Sequence, residues 1–482
     1  MKFLAPTTAA LMLLLMSQAL PAESTLGKGS LRVHPTNPRY FTDGTGKAIY
    51  LTGSHNWSNF KDVKLPLVFD NDAYLDMLEK HHHNFIRLWT WEQFKYTYGA
   101  SEATPPPEGS FSHSDLFPWP RLGPGCALDG KPKFQLKQFD QKYFDQLRDR
   151  VVAAGKRGFY VSVMLFEGHG ALFSQPPWCW QGHPFHVKNN VNGIDGDPDG
   201  DGRGLEFYTL RVPAITALQE SYVRKVIDTV NDLDNVLYEI ANETTTYSTE
   251  WQYHMIDFVH NYEKRKPKQH PVGISFIAFR ECDPPFTNEM LFRSRAEWLS
   301  PYDACFLKLP GDDTCNGYGY DPPPADGSKV IISDTDHIFG IGGDRKWVWK
   351  SFTRGLNTAY MDPMGPAFAW EGESKVWDLE DARRAMGYTL RFAERMDLVP
   401  MVPRGDLAST KYCLANPAAE YLVYAPEGGE ISLNLSATSG MLSVEWFNPV
   451  TGKSIAAGSA VGGAQSTFRA PFEGDAVLYL RK

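Results

Sequence analysis

Eight short apolar runs, with amphipathic stretches between several of them, constrain this chain more than any other feature. They are AIYLT (48–52), NFIRLW (84–89), GFYVSVMLF (158–166), VLYEIA (236–241), PVGISF (271–276), YDACFL (302–307), KVIISD (329–334) and NTAYMD (357–362). Between them, Phe139, Tyr143, Phe144, Leu147 and Val151 share one helical stripe, and Val223, Val226, Ile227, Val230 and Leu233 share another. Residues 379–395 read as a last helix. Strands alternating with helices make an α/β chain, and eight strands are the number that closes a (β/α)8 TIM barrel. An open doubly wound sheet is the alternative, but no Gly-rich phosphate loop follows the first strand.

Residues 31–51 read as a hairpin cap with DGTG as its turn, leading into the first strand. After about residue 405 the texture changes to short alternating strands (KYCLANP, EYLVYAP, ISLNLS, LSVEWFNPVTGKS, DAVLYLRK) separated by turns. The expected organisation is therefore a signal peptide at 1–22, a barrel at 23–405 and an all-β sandwich at 406–482. The N-terminus, MKFLAPTTAALMLLLMSQALPAES, has one early lysine, an apolar core and small residues at Ala19 and Ala22 for cleavage. It predicts a secreted or periplasmic protein without membrane insertion. A net charge of −9 and the lack of a basic tract argue against a nucleic-acid partner. Export makes disulfides permissible. Cys305 with Cys315, and Cys126 with Cys179, are candidate pairs, against free buried thiols.

In a TIM barrel the reactive groups stand at the C-terminal ends of the strands. Strand one runs into Ser54, His55, Asn56 and Trp57. Strand two carries Arg87, Trp89 and Trp91. Strand three ends on Glu167 and His169, and strand four on Asn242 and Glu243 with Tyr247 beyond. Strand seven ends on Asp334, Asp336 and His337, and strand eight on Asp362. Two carboxylates flanked by Trp, His and Arg suit glycoside hydrolysis: one protonates the departing oxygen while the other attacks the sugar or activates water. Glu243 stands where a catalytic carboxylate belongs, with Asp336 its expected partner and Asp334 second; Glu167 and Asp362 rank lower. Asn242, Arg87, His55, Trp57, Trp89, Trp91, Glu167, His169, Tyr247 and His337 are the expected substrate-binding set. Arg87 is also read as orienting a carboxylate. The run His81-His82-His83 reads as a solvated helix end rather than a metal site.

LYEIANE resembles the fourth-strand Asn-Glu signature of the clan A glycoside hydrolases. The chain as a whole is similar to a bacterial family of clan-A-like glycoside hydrolases of apiosidase-like architecture with a C-terminal module labelled collagen-binding. The shared stretches are HPTNPRYFTDGTGKAIYLTGSHNW, NFIRLWTWEQ, YEIANE, VIISDTDH, EWFNPVTGK and DAVLYLRK. The resemblance implies a TIM barrel in which Glu243 is the acid/base. Clan A enzymes usually carry a Glu nucleophile at the end of strand seven, where this chain has two Asp residues. An Asp side chain is shorter by about 1.5 Å, which leaves room for a water, so both stereochemical outcomes stay open.

A second motif, DGDPDGDGRGLE at 195–206, fits the calcium-loop pattern, with Asp195, Asp197, Asp199, Gly200 and Glu206 in place and Asp201 offering a further oxygen. It predicts a structural Ca2+, with no cofactor for catalysis. The rival is a flexible acidic loop. In the C-terminal domain Tyr421, Tyr424 and Trp446 are candidate carbohydrate contacts. Long loops at 92–135 and 170–210 favour a walled pocket and short substrates. Two other functions compete: a silent carbohydrate- or matrix-binding protein on a barrel scaffold, and a polysaccharide lyase.

Overall fold

The computed structural model describes residues 29–57, 59–60, 69–90, 92, 116–168, 180, 182–275, 287–303, 317–340, 342–362 and 379–482. The signal-peptide stretch, Trp91, His169, Cys179, Cys305 and Cys315 lie outside them. Cys126 is an exposed free thiol and Cys413 a buried one.

Eight parallel strands form one sheet: β1 (Thr52–His55), β2 (Phe85–Trp89), β3 (Tyr160–Glu167), β4 (Val236–Asn242), β5 (Val272–Ser275), β6 (Trp298–Ser300), β7 (Val330–Asp334) and β8 (Asn357–Met361). Their order is β1-β8-β7-β6-β5-β4-β3-β2, the sequential order of a barrel cut once. Helices α1 (Asn71–Lys80), α2 (Gln141–Lys156), α3 (Pro213–Val230), α4 (Thr249–Glu263), α5 (Glu289–Arg293), α6 (Arg345–Thr353) and α7 (Leu379–Arg395) alternate with the strands. Asp70, Asp140 and Asp344 cap α1, α2 and α6 with side-chain oxygens on backbone N–H groups.

The cut between β1 and β2 is closed largely by side chains. The Asn84 amide accepts from the Thr52 N–H (2.9 Å) and donates to the Tyr50 carbonyl (2.8 Å). Further up, the Asn59 amide donates to the Arg87 carbonyl (2.8 Å) and accepts from the Trp89 N–H (3.0 Å). Each asparagine thus stands in for a length of missing strand. The backbones come so close here that a Cβ on Gly53 would lie 2.0 Å from the Phe85 carbonyl oxygen.

The described strand six is the short Trp298–Ser300, and residues 304–307 of the expected run lie outside the described residues; its Trp298 ring fills the barrel against Gly273. Trp298 joins Leu31 and Phe41 of the cap in sealing the barrel floor. The cap pairs Arg32–Val33 with Phe41–Thr42, and DGTG turns the chain back so that Phe41 also bridges Ile49. The histidine run is not solvated: His81 and His83 are buried. His81 reaches Glu380 (2.9 Å), His82 reaches Glu394 (2.8 Å), and His83 donates to the Arg383 carbonyl (3.0 Å). All three partners belong to α7, so the run staples α1 to α7 across the same cut.

The C-terminal part contains β9 (Cys413–Asn416), β10 (Glu420–Ala425), β11 (Glu430–Asn434), β12 (Met441–Asn448), β13 (Lys453–Val461), β14 (Gln465–Arg469) and β15 (Ala476–Arg481). An antiparallel sheet ordered Val402–Pro403, β9, β10, β15, β12, β13 faces the β11–β14 pair. Alternation gives that sheet two buried faces. Tyr421, Val423, Trp446, Leu478 and Leu480 pack inside the sandwich. Leu414, Leu422, Tyr424, Phe447, Val477 and Tyr479 instead belong to the barrel's own core. Trp349 of α6 stacks on Tyr424 (6.1 Å), and Phe392 of α7 meets Tyr479 edge-on (5.7 Å). Arg345 bridges Asp381 (2.8 Å) and Asp475 (3.0 Å) across this interface. Tyr421, Tyr424 and Trp446 are therefore core residues, at most 3 % exposed, and not a sugar-binding surface.

Candidate functional site

Arg87, 2 % exposed, is the hub of the upper barrel. Its guanidinium makes two bonds to Glu239 (2.6 and 2.7 Å), one to the Asn242 oxygen (2.6 Å) and one to Asp336 (2.7 Å), with Asp334 at 3.5 Å. Burial alone would lower its pKa, but Glu239, Asp334 and Asp336 overcome that and raise it. Glu239 sits mid-strand in an apolar run and was not singled out from sequence. The only hint was that a wholly buried Arg requires a planar acceptor opposite it.

The two aspartates of strand seven have separate environments. The strand ends at Asp334, and Asp336 lies in the 3-10 turn Thr335–His337 that follows. Strict period-two placement is therefore replaced by a turn, which Asp334 caps by accepting the Asp336 N–H (3.0 Å). The other call on Asp334 is His55 Nε2 at 2.9 Å. The indole N–H of Trp89 donates to His55 Nδ1 (2.9 Å). Since indole is only a donor, this leaves the His55 proton on Nε2, aimed at Asp334. Burial works against charge on Asp334, but His55 and Arg87 hold its pKa well below the usual carboxylate range. Asp334 is thus a fully engaged anion. His55 and Trp89 are buried and serve it, which corrects their expected place as sugar contacts.

Asp336 faces the mouth beside Glu243 and His337; one ligating atom of each lies within 4.8 Å of the other two. Glu243 remains partly exposed and takes a left-handed backbone conformation, φ +43°. Gly168 lies against that turn: its N–H donates to the Asn242 carbonyl (2.7 Å), and a Cβ there would sit 2.6 Å from the Glu243 carbonyl oxygen. Burial of the carboxyl, then Asp336 and Glu167, push Glu243 well above the ordinary carboxyl pKa. Burial and Asp334 also raise Asp336, against the pull of Arg87. His337 is driven well below its usual pKa by burial and by Arg87, and stays neutral. Its Nε2 meets the Asn242 oxygen (3.0 Å) and its Nδ1 the Ser300 hydroxyl (2.8 Å).

Asn242 is buried. Its oxygen takes both Arg87 and His337, and its amide donates to Glu167 (3.2 Å). Glu167 is buried behind it. Glu92, also missed from sequence, accepts the Glu167 N–H (3.1 Å) and the Tyr208 hydroxyl, which donates as well to the Glu167 carbonyl (2.9 Å). Asp362 is held by two bonds from Arg383 (both 2.6 Å). Trp57 is half-buried against Trp89, Met164 and Met361. Tyr247, 44 % exposed, stands on the loop after β4. Trp91 and His169 lie outside the described residues.

Among the acidic-loop residues, oxygens of Asp197, Asp199 and Glu206 come within 4.8 Å of one another. Asp195 and Asp201 are not in that group; their side chains accept the N–H groups of Asp197 (3.1 Å) and Arg203 (2.8 Å).

Residues 115–278 match a family described as a domain of unknown function, DUF6298. Residues 401–481 match one described as "Putative collagen-binding domain of a collagenase". A search of the curated proteins gives no match. Among solved structures, a family 5 glycoside hydrolase from Bacteroides vulgatus ATCC 8482 is similar at 15 % identity, covering 94 % of each chain with a TM-score of 0.59. A protein titled "Glycoside hydrolase" is similar at 14 % identity, covering 94 % of this chain and 97 % of its own, with a TM-score of 0.57. Both domains thus share their architecture with proteins titled as glycoside hydrolases.

Proposed function

We propose that this protein is an exported glycoside hydrolase that cleaves O-glycosidic bonds with retention, using Glu243 as acid/base and Asp336 as nucleophile. The observation that carries this reading is the pair itself: Glu243 and Asp336 from different strand ends, within 4.8 Å of each other at the barrel mouth. Retaining enzymes hold their carboxyl groups about 5–5.5 Å apart, inverting ones about 6.5–9.5 Å. The closest oxygens of this pair, within 4.8 Å, fall on the retaining side of that divide. The environments divide the labour. Both carboxyls are raised, Glu243 well above the ordinary range, so Glu243 keeps its proton for the leaving oxygen, while the Arg87 contact pulls Asp336 back toward the ionised form. Asp336 attacks the anomeric carbon as Glu243 protonates the leaving group. Glu243 then takes a proton from water as the water oxygen bonds to the anomeric carbon and the bond to Asp336 breaks, which releases the sugar and restores both carboxyls. The titles of the similar structures support the same reaction class.

The test is reducing-end release from a broad glycan panel, with the first anomer formed followed by NMR. Glu243→Gln and Asp336→Asn should each lose at least about 100-fold in kcat, whereas Asp334→Asn should act chiefly through stability. An inverted product would remove Asp336 as nucleophile. Unsaturated products absorbing in the ultraviolet would favour a lyase, and binding without turnover would favour the binding protein.

A further inference from the structure

The acidic loop has a feature that a solvated loop lacks. Glu206 is 6 % exposed, and its Oε2 is buried with no hydrogen-bond partner. Asp197 Oδ1 is likewise buried and unpartnered. Arg211 approaches only the other oxygen of Glu206, at 3.7 Å, from a side chain that is 71 % exposed. Two orphaned carboxylate oxygens beside a third carboxylate, Asp199, form an all-oxygen site in which, among the described residues, the one ion pair recorded is that of Arg211. Buried acceptors are normally satisfied, and an unsatisfied one points to a missing partner.

The surroundings are fixed rather than loose. Trp180, 3 % exposed, lies beneath the loop against Gly196 and Gly204 and stacks on Phe207 with ring planes 5° apart. Gly200, at the sixth loop position, turns the chain with φ +75°.

We propose that Asp197, Asp199 and Glu206 bind one calcium ion, and that this ion fixes the chain segment that buttresses the barrel mouth. Hard oxygen donors in a loop with room for backbone carbonyls and water suit calcium better than magnesium, which demands near-ideal octahedral geometry, or zinc, which prefers nitrogen and sulfur. The link to the mouth is short. Glu206 lies in the 3-10 turn Leu205–Tyr208, and the Tyr208 hydroxyl holds Glu92 and the Glu167 carbonyl. The site is independent of the proposed hydrolase reaction and is tested without it.

The full chain, stripped with EDTA, is titrated with calcium chloride by calorimetry and then unfolded thermally over a calcium series. One ion per chain and a Tm that climbs with calcium are expected, since a ligand that binds only the folded state stabilises by mass action. Asp199→Asn changes an exposed side chain that no core packing depends on, and should weaken binding at least tenfold. Glu206→Gln should abolish it. The proposal fails if neither heat nor a Tm shift appears up to about 10 mM calcium, beyond the weakest calcium modules. It also fails if both variants bind like the wild type, or if magnesium produces the same response.

Discussion

Glu243 holds a backbone conformation that a non-glycine residue rarely adopts, and it does so at the position proposed for the acid/base. Its carboxyl is also kept from ionising by burial and by neighbouring carboxylates. A carboxyl with a raised folded-state pKa contributes fully to stability only below its unfolded pKa, and that contribution is lost as pH rises through the folded value. Glu243→Gln removes the titration, so the variant should be more stable than the wild type at neutral and alkaline pH. Chemical denaturation across pH measures this; equal stability at every pH would contradict it. On the proposed mechanism the same shift should set the alkaline limb of the activity profile, with kcat falling as Glu243 loses its proton above the ordinary carboxyl range. Arg87 behaves oppositely. Arg87→Met strands Glu239, Asp334 and Asp336 in the barrel and should cost about 3–5 kcal/mol in urea unfolding, as loss of one partner of a buried ion pair does. The placement of Glu243 and Asp336 just beyond strands four and seven was legible, because strand-end position alone marks it. Glu239 and Glu92 were not, because a carboxylate inside an apolar run declares itself only through its partner. For Glu239 that partner lies 152 residues away.

At the scale of elements, the fold was legible wherever a strand or helix carried its own periodicity. The stripe through Tyr143, Phe144 and Leu147 became α2, and the strand runs at β2, β3, β4, β7 and β8 appeared within a residue or two of expectation. Strand six was not legible: three residues are too few to show a period, and Trp298 owes its place to Gly273 on a neighbouring strand. The cut in the barrel was equally hidden, because it is closed by asparagine amides and histidines rather than by an apolar pattern. Asn59→Ala leaves the Arg87 carbonyl and the Trp89 N–H without their partner and should destabilise by about 1–3 kcal/mol. Hydrogen exchange at the Trp89 amide should rise with it; unchanged protection there would deny Asn59 its role. The histidine staple adds an acid sensitivity. Burial lowers the pKa of His83 to about 4. The unfolded chain therefore binds the extra proton first, and stability falls as pH drops below the ordinary histidine value near 6.5. His83→Gln should flatten that part of the stability–pH curve.

At the scale of the molecule, the sheet of β9, β10, β15 and β12 belongs to two cores at once. A chain ending near residue 400 would leave Trp349 and Phe392 without their ring partners from the C-terminal sheet, uncovering an apolar patch on α6 and α7 of the kind that drives aggregation. Such a truncation should yield insoluble protein, and the full chain should melt in a single calorimetric transition. A soluble, folded 23–400 fragment, or two separate transitions, would contradict the shared core. The turn-and-strand texture after residue 405 was readable, but its second buried face was not. Alternation announces an apolar face without saying whether it meets a partner sheet, a helix or solvent. The shared sheet also bears on how the two parts can change over generations. A substitution at Phe447 or Tyr479 is felt by Phe392 and Tyr388 in the barrel. The C-terminal part therefore cannot be traded between relatives as a cassette; a working chimera must carry the matching faces of α6 and α7 with it.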